Sequence, residues 1–163
     1  MKATLLYVVD PDTLEVLLAT KGRGVGKGFL FGYGGKFEDE DNGDARKCVC
    51  REFEKENGGV SIEKYYHDLE LVARIKFFNK KEMNPLTDQP SFEVECFRLL
   101  VPKEYFSGIS STDEMCNPQW IFKDDIPFGT DKMKPGDELI VPEIIHGIHQ
   151  IGYLWFEKET NVV

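Results

Sequence analysis

The chain has 163 residues, 41% of them hydrophobic, and a formal net charge of −9. That length suits one domain with a core of its own, and so acidic a balance argues against general nucleic-acid binding, which relies on basic patches facing phosphates. No apolar run approaches the length of a membrane span and the N-terminus lacks a secretory apolar region, so a cytoplasmic protein is expected.

In chain order, Thr4 to Val9 and Glu15 to Thr20 are rich in leucine and β-branched residues. Asp10-Pro11-Asp12 between them is a turn signal, which predicts a hairpin. A segment alternating glycine with Lys21, Arg23 and Lys27 leads to Phe29–Tyr33, a predicted strand, and then to Gly34-Gly35. The basic loop suits phosphate; it reads equally well as a solvated hairpin tip. Asp44 is a good N-cap, Ala45 to Asn57 runs without proline or glycine, and Gly58 supplies a left-handed stop, so this stretch is predicted helical. Asp68–Asn79 and Ser91–Val101 read as two longer strands joined by the polar Lys80–Pro90 loop, and Gln119–Phe122 as a short one. Pro142 is expected in the first turn of a second helix. Val141, Ile144, Ile145, Ile148 and Ile151 would be its buried stripe, Gly152 its stop, and Tyr153–Lys158 a last strand. Strands on both sides of two helices predict an α+β sandwich with a mixed sheet, in a single domain over 1–163.

The chemistry concentrates on the first helix. Val49 and Phe53 would face the core. Glu52 and Glu56 are four apart, which stacks their β-carbons about 5–6 Å from each other on one face. Two such carboxylates repel, and a hard cation relieves the repulsion, Mg²⁺ first and Mn²⁺ as its substitute. Gly34 and Gly35 let the backbone turn sharply and leave a carbonyl, that of Gly35, to point at the same ion. Glu38 follows the turn closely enough to ligate or orient. Taken alone, a run such as Glu-Phe-Glu-Lys-Glu more often forms a solvated face. The four cysteines lack paired metal spacing and read as reduced thiols filling apolar space. His146 and His149 lie three apart without a third ligand nearby and read as a surface or core-edge pair. Trp120, Trp155, Phe29 and Phe78 read as packing or pocket-wall residues.

Gly35, Arg51, Glu52, Phe53, Glu56 and Gly58 resemble the signature of the Nudix hydrolases, a glycine, an acidic loop and an Arg-Glu helix closed by glycine. Three positions depart from it. Gly43 stands where counting back from Arg51 places the first glutamate, so that Asp41 or Asp44 would replace it. Lys55 replaces one of a glutamate pair, and Gly59 takes the last aliphatic position. The resemblance extends to the branch that hydrolyses oxidised purine nucleoside triphosphates. It rests there on Lys21-Gly22-Arg23-Gly24, Asp113-Glu114-Met115, Trp120, Asp125-Ile126-Pro127-Phe128, Pro135, Asp137, Pro142 and Tyr153-Leu154-Trp155-Phe156.

This resemblance implies an α/β/α sandwich. It further implies Mg²⁺-dependent hydrolysis of a nucleoside triphosphate such as 8-oxo-dGTP to monophosphate and pyrophosphate. Glu56 would be a principal metal ligand, and Glu52 and Glu114 ligands or general bases. Arg51 would hold the carboxylates in place, and Gly35 would add its carbonyl. Lys21, Arg23, Phe31, Lys36, Phe77 and Asp137 would contact the substrate. A monomer whose partner is a nucleotide is expected. The base pocket departs most from the branch: Phe31 replaces an asparagine, Lys134 and Ile140 replace tryptophans, and Gly136 replaces an aspartate. Those changes keep open a different nucleoside-diphosphate-linked substrate, and Lys55 keeps open a binding module without catalysis.

Overall fold

The structure, a computed structural model, describes residues Met1–Trp155. Its strands are β1 (Lys2–Val9), β2 (Glu15–Lys21), β3 (Leu30–Phe31), β4 (Glu70–Phe78), β5 (Phe92–Leu100), β6 (Met115–Phe122) and β7 (Gln150–Trp155). Its helices are α1 (Ala45–Glu56) and α2 (Asp137–Ile145), with short 3₁₀ turns at Asp39–Asp41, Glu63–Asp68, Lys103–Phe106 and Lys123–Asp125. The sheet runs β3-β2-β1-β5-β4-β7, and β6 pairs with the other edge of β2. Parallel pairs (β1 with β5, β4 with β7) and antiparallel pairs (β4 with β5, β2 with β6) make it a mixed sheet.

Two clusters of buried side chains cover the sheet's faces. Leu6, Val8, Leu17, Tyr33, Phe97 and Leu99 pack under Val49 and Phe53 of α1. Tyr7, Val9, Leu18, Ile75 and Cys96 pack under Val141, Ile144 and Ile145 of α2. Alternation along β1 sends Leu6 and Val8 to one helix and Tyr7 and Val9 to the other, as the period of a strand dictates. The expected α+β sandwich is present.

The detail that positions the site is a split hairpin. β1 and β2 meet at Val9 and Val16 and then diverge. Residues 30–36 enter the gap. β3 pairs with β2 at Ala19 and Thr20, while Tyr33 and Lys36 bridge to Leu6 and Ala3 of β1. Gly34 sits so close to β1 that an added Cβ would lie 2.2 Å from the Thr4 carbonyl oxygen. Glycine is required there, and the turn is clamped against the central strand. This wedge confines β3 to two residues where the sequence predicts five.

Other boundaries also differ. β6 begins at Met115 rather than Gln119; Asn117 at φ 49° marks an irregularity, and Pro118 is tolerated because the strand is an edge. Pro142 lies in the interior of α2, not its first turn, and the helix begins five residues earlier, at Asp137. The helix ends at Ile145, with Gly147 at φ 70° beyond it, so Ile148 and Ile151 leave the stripe and are 52% and 78% exposed. Gly152, expected to stop the helix, is a β7 residue opposite Ile75. β7 therefore starts three residues before the expected strand, whose Phe156–Lys158 portion lies outside the described residues. The Glu63–Asp68 turn takes Asp68 out of the predicted fourth strand.

Candidate metal and phosphate site

α1 forms as its sequence directs. The Asp44 carboxylate caps it by accepting from the Arg46 and Lys47 amides, and Gly58, at φ 89°, follows its C-cap. The helix turns Val49 and Phe53 into the core and carries Glu52 and Glu56 to the wedge, both buried. Glu114 reaches the same point from the residue before β6. Among the described residues, Glu52, Glu56 and Glu114 each offer an oxygen within 4.8 Å of the others.

Several contacts hold this cluster. The Gly34 amide donates to Oε2 of Glu56 at 3.0 Å, and Nζ of Lys21, at the end of β2, lies 2.9 Å from Oε1. Lys21 also stands 3.9 Å from Glu114, whose other oxygen accepts from the Arg23 guanidinium, with Nε at 3.1 Å. A Cβ at Gly35 would lie 2.2 Å from Oε2 of Glu52, so a side chain there would expel that carboxylate. The Gly35 carbonyl accepts from the Thr4 amide at 2.8 Å and from the Cys48 thiol at 3.7 Å.

Arg51 sits behind the cluster. Its Nε and Nη2 donate to the two oxygens of Asp41 at 2.9 and 2.8 Å, Nη2 donates to the Lys36 carbonyl at 3.0 Å, and Nη1 donates to Glu52. A planar fork suits this work, because it binds one carboxylate by two bonds and still reaches a second. Of the two aspartates weighed for the loop glutamate, Asp41 takes this place and is 1% exposed. Asp44 serves as N-cap and accepts from the Tyr66 hydroxyl. Glu38 stays half exposed, 3.6 Å from Arg51, and caps the Asp39–Asp41 turn.

Burial pushes the Glu56 carboxyl up to about 7, against the pull of Lys21 and the Gly34 amide. Glu114 moves the other way: Arg23 holds it below the usual carboxylate range. Three carboxylates converging on one point make a hard oxygen site. This donor set and the glycine cradle fit a divalent ion.

The remaining predicted contacts divide. Lys21 and Arg23 join the cluster. Lys36 contributes its carbonyl to Arg51 while its side chain is exposed. Phe31 packs on the α1 side, against Gly26. Phe77 belongs to the α2 side, where Nζ of Lys134 lies 5.2 Å from its ring centroid. Asp137, the first residue of α2, is near Lys134 and Tyr7; burial raises its carboxyl to about 6. Phe77, Lys134 and Asp137 therefore come together, and Phe31 does not join them. His146 and His149 are exposed and belong to no group of metal-binding side chains among the described residues. Trp120 packs at the core edge, 6.0 Å from Phe106, and Trp155 stacks on Phe78.

Sequence reasoning missed two groups. Cys48 lies beneath the turn, 3.5 Å from the Lys36 carbonyl and 3.3 Å from the Thr4 hydroxyl. Tyr33 places a buried hydroxyl, raised by desolvation and by the charge of Glu56, beneath the cluster. Both sit in apolar-patterned segments, where nothing in the sequence marks a residue as close to the site.

Comparison with known proteins agrees with this geometry. No protein-family model matches the chain. It is 29% identical over 160 residues to the oxidized purine nucleoside triphosphate hydrolase of Danio rerio, covering 98% of this chain and 89% of the relative. A MutT protein from Methanosarcina mazei Go1 superposes with a TM-score of 0.57 at 13% identity, covering 90% of each chain. A MutT/nudix family protein from Enterococcus faecalis gives 0.52 at 17% identity over 73% of this chain; the chain spans only 42% of that protein. The chain has the Nudix fold, and the resemblance to the Nudix hydrolases carried by Gly35, Arg51, Glu52, Glu56 and Gly58 is borne out.

Proposed function

We propose that the chain is a Mg²⁺-dependent pyrophosphohydrolase that cleaves a nucleoside triphosphate, foremost one with an oxidised purine such as 8-oxo-dGTP, to the monophosphate and pyrophosphate. The observation that carries this reading is the convergence of Glu52, Glu56 and Glu114 within 4.8 Å of one another, beside Lys21 and Arg23. Its near full-length relative from Danio rerio, by its name, acts on that substrate class. Glu52, Glu56 and Glu114 would hold the ion, with the Gly35 carbonyl. Bound there, Mg²⁺ would polarise phosphoryl oxygens and lower the pKa of water; Mn²⁺ would serve in its place.

The chain's own groups do the rest. Glu56 would hold the ion in its ionised form. Lys21 and Arg23 pair with Glu56 and Glu114, and would turn to phosphate oxygens with an ion held by those carboxylates. Glu52 or Glu114 accepts the proton of the attacking water. Arg51 orients Glu52 through its fork to Asp41. Phe77 and Asp137 would contact the base from the α2 side, with Phe31 and Lys36 nearer the turn. The chain would act as a single domain over 1–163 and as a monomer. The four free thiols support a reducing, cytoplasmic setting, and no helix among the described residues is long and apolar enough to cross a membrane.

A second reading is favoured by one observation. Lys134 crowds Phe77 and Asp137 with a cation where the oxidised-purine branch has a stacking ring, which suits a different nucleoside-diphosphate-linked substrate. Assaying released phosphate and pyrophosphate from 8-oxo-dGTP, dGTP, ATP, ADP-ribose and dinucleotide polyphosphates with Mg²⁺ separates the two. The first reading expects 8-oxo-dGTP to lead and Glu56→Gln to abolish turnover. No turnover of any compound with Mg²⁺ or Mn²⁺, beside tight nucleotide binding, would establish a non-catalytic module instead.

A further inference from the structure

The three carboxylates of the site already have cations of their own. Lys21 stands on Glu56 and Glu114, and Arg23 on Glu114. Nζ of Lys55 lies 3.6 Å from Oε1 of Glu52, one turn back along α1, while Arg51 approaches the same oxygen from behind.

Space and donors limit what can enter. One octahedral Mg²⁺ with oxygens at about 2.0–2.1 Å spans roughly 4 Å between opposite ligands. That is close to the 4.8 Å within which the three donor oxygens lie. Two ions about 3.5–4 Å apart need further carboxylates to bridge and flank them. Two acids beside Arg51 are committed elsewhere: Asp41 to the Arg51 fork and the Glu38 amide, and Glu38 to Arg51 and the 3₁₀ turn. A second divalent ion beside Glu52 would also meet the Lys55 ammonium at close range, where like charges repel.

We infer that this site takes a single divalent ion, and that the Lys55 ammonium stands in for a second beside Glu52. The side chain of Lys55 is half exposed, so its ammonium can swing from Glu52 to an entering phosphate oxygen while the ion holds the carboxylates. Lys55 thereby supplies one positive charge to the phosphate chain. The inference rests on the site being the metal site proposed above.

The test is a Mn²⁺ titration of the intact chain, read from the electron paramagnetic resonance signal of the free aquo ion. Wild type is expected to bind one Mn²⁺ per chain, Lys55→Arg one, and Lys55→Glu two. Wild type binding two or more would overturn the single-ion assignment while leaving a metal site in place. Lys55→Glu holding one ion, folded by circular dichroism, would overturn the role given to Lys55. Wild type binding none would sink the metal site and this inference with it. Turnover supplies a check without a variant: its dependence on Mg²⁺ is expected to be hyperbolic, and a sigmoidal dependence with a Hill slope near two would count against a single ion.

Discussion

Lys21 places its ammonium 2.9 Å from Oε1 of Glu56, a carboxylate with no exposed surface. The pair ties the end of β2 to the last residue of α1 across the glycine wedge. Removing the cation leaves the carboxylate buried without its compensating charge. Lys21→Met is expected to cost about 3 kcal/mol above pH 8, where Glu56 would be ionised. Near pH 5.5 Glu56 holds its proton, and the cost should be much smaller. Urea denaturation at the two pH values measures this; an equal cost at both would show that the pair contributes little through charge.

The same carboxyl sets a pH dependence. Its folded pKa of about 7 lies above its ordinary value of 4.5. A raised folded pKa gives stability that is complete below about 4.5 and is lost as pH rises through about 7. A divalent ion reverses the balance, because it binds the ionised form. The apparent affinity for Mn²⁺ should therefore weaken about fivefold between pH 7 and pH 6, with up to one proton released per ion bound. Calorimetry in two buffers of different ionisation enthalpy reads that proton directly. Affinity flat across this range would mean that Glu56 is not a ligand.

Much of this site was legible because helix geometry is local. The spacing of Glu52 and Glu56, the Asp44 cap and the Gly58 stop depend on residues within a few turns, and the structure reproduces them. Glu114 was reached only through resemblance, since a loop 58 residues beyond Glu56 announces nothing by periodicity. The split of the first hairpin was not readable: Thr4–Val9 and Glu15–Thr20 have the pattern of an ordinary β-ribbon. What separates them is the competing pairing of residues 30–36, a tertiary choice. The second helix failed for a similar reason. Its apolar run continues past Ile145, but Gly147 turns the chain and β4 recruits the remainder as β7.

Arg51 offers a test of geometry apart from charge. Asp41 is 1% exposed and takes two bonds from the guanidinium, which also reaches Glu52 and the Lys36 carbonyl. Lysine keeps the charge but cannot make the fork. Arg51→Lys is expected to cost about 2–3 kcal/mol of stability, through hydrogen bonds lost at a buried carboxylate. It should also lower kcat/KM more than tenfold with Mn²⁺ stoichiometry unchanged. Wild-type kcat/KM in this variant would remove Arg51 from any part in orienting Glu52.

Tyr33 presents the opposite case, a group the fold tolerates. Its ring packs edge-on to Phe53 at 5.0 Å, and its hydroxyl is buried without a hydrogen-bond partner among the described residues. An unpaired buried hydroxyl costs about 1–3 kcal/mol. Tyr33→Phe keeps the ring and removes that cost, so the melting temperature should rise by about 2–4 °C for each kcal/mol recovered. The affinity for Mn²⁺ should stay as in wild type, because no ligand oxygen depends on the hydroxyl. Calorimetric melting and the Mn²⁺ titration decide it together: a lower melting temperature with weaker Mn²⁺ binding would mean that the hydroxyl supports Glu56 from beneath, and the site would then extend one layer deeper into the core.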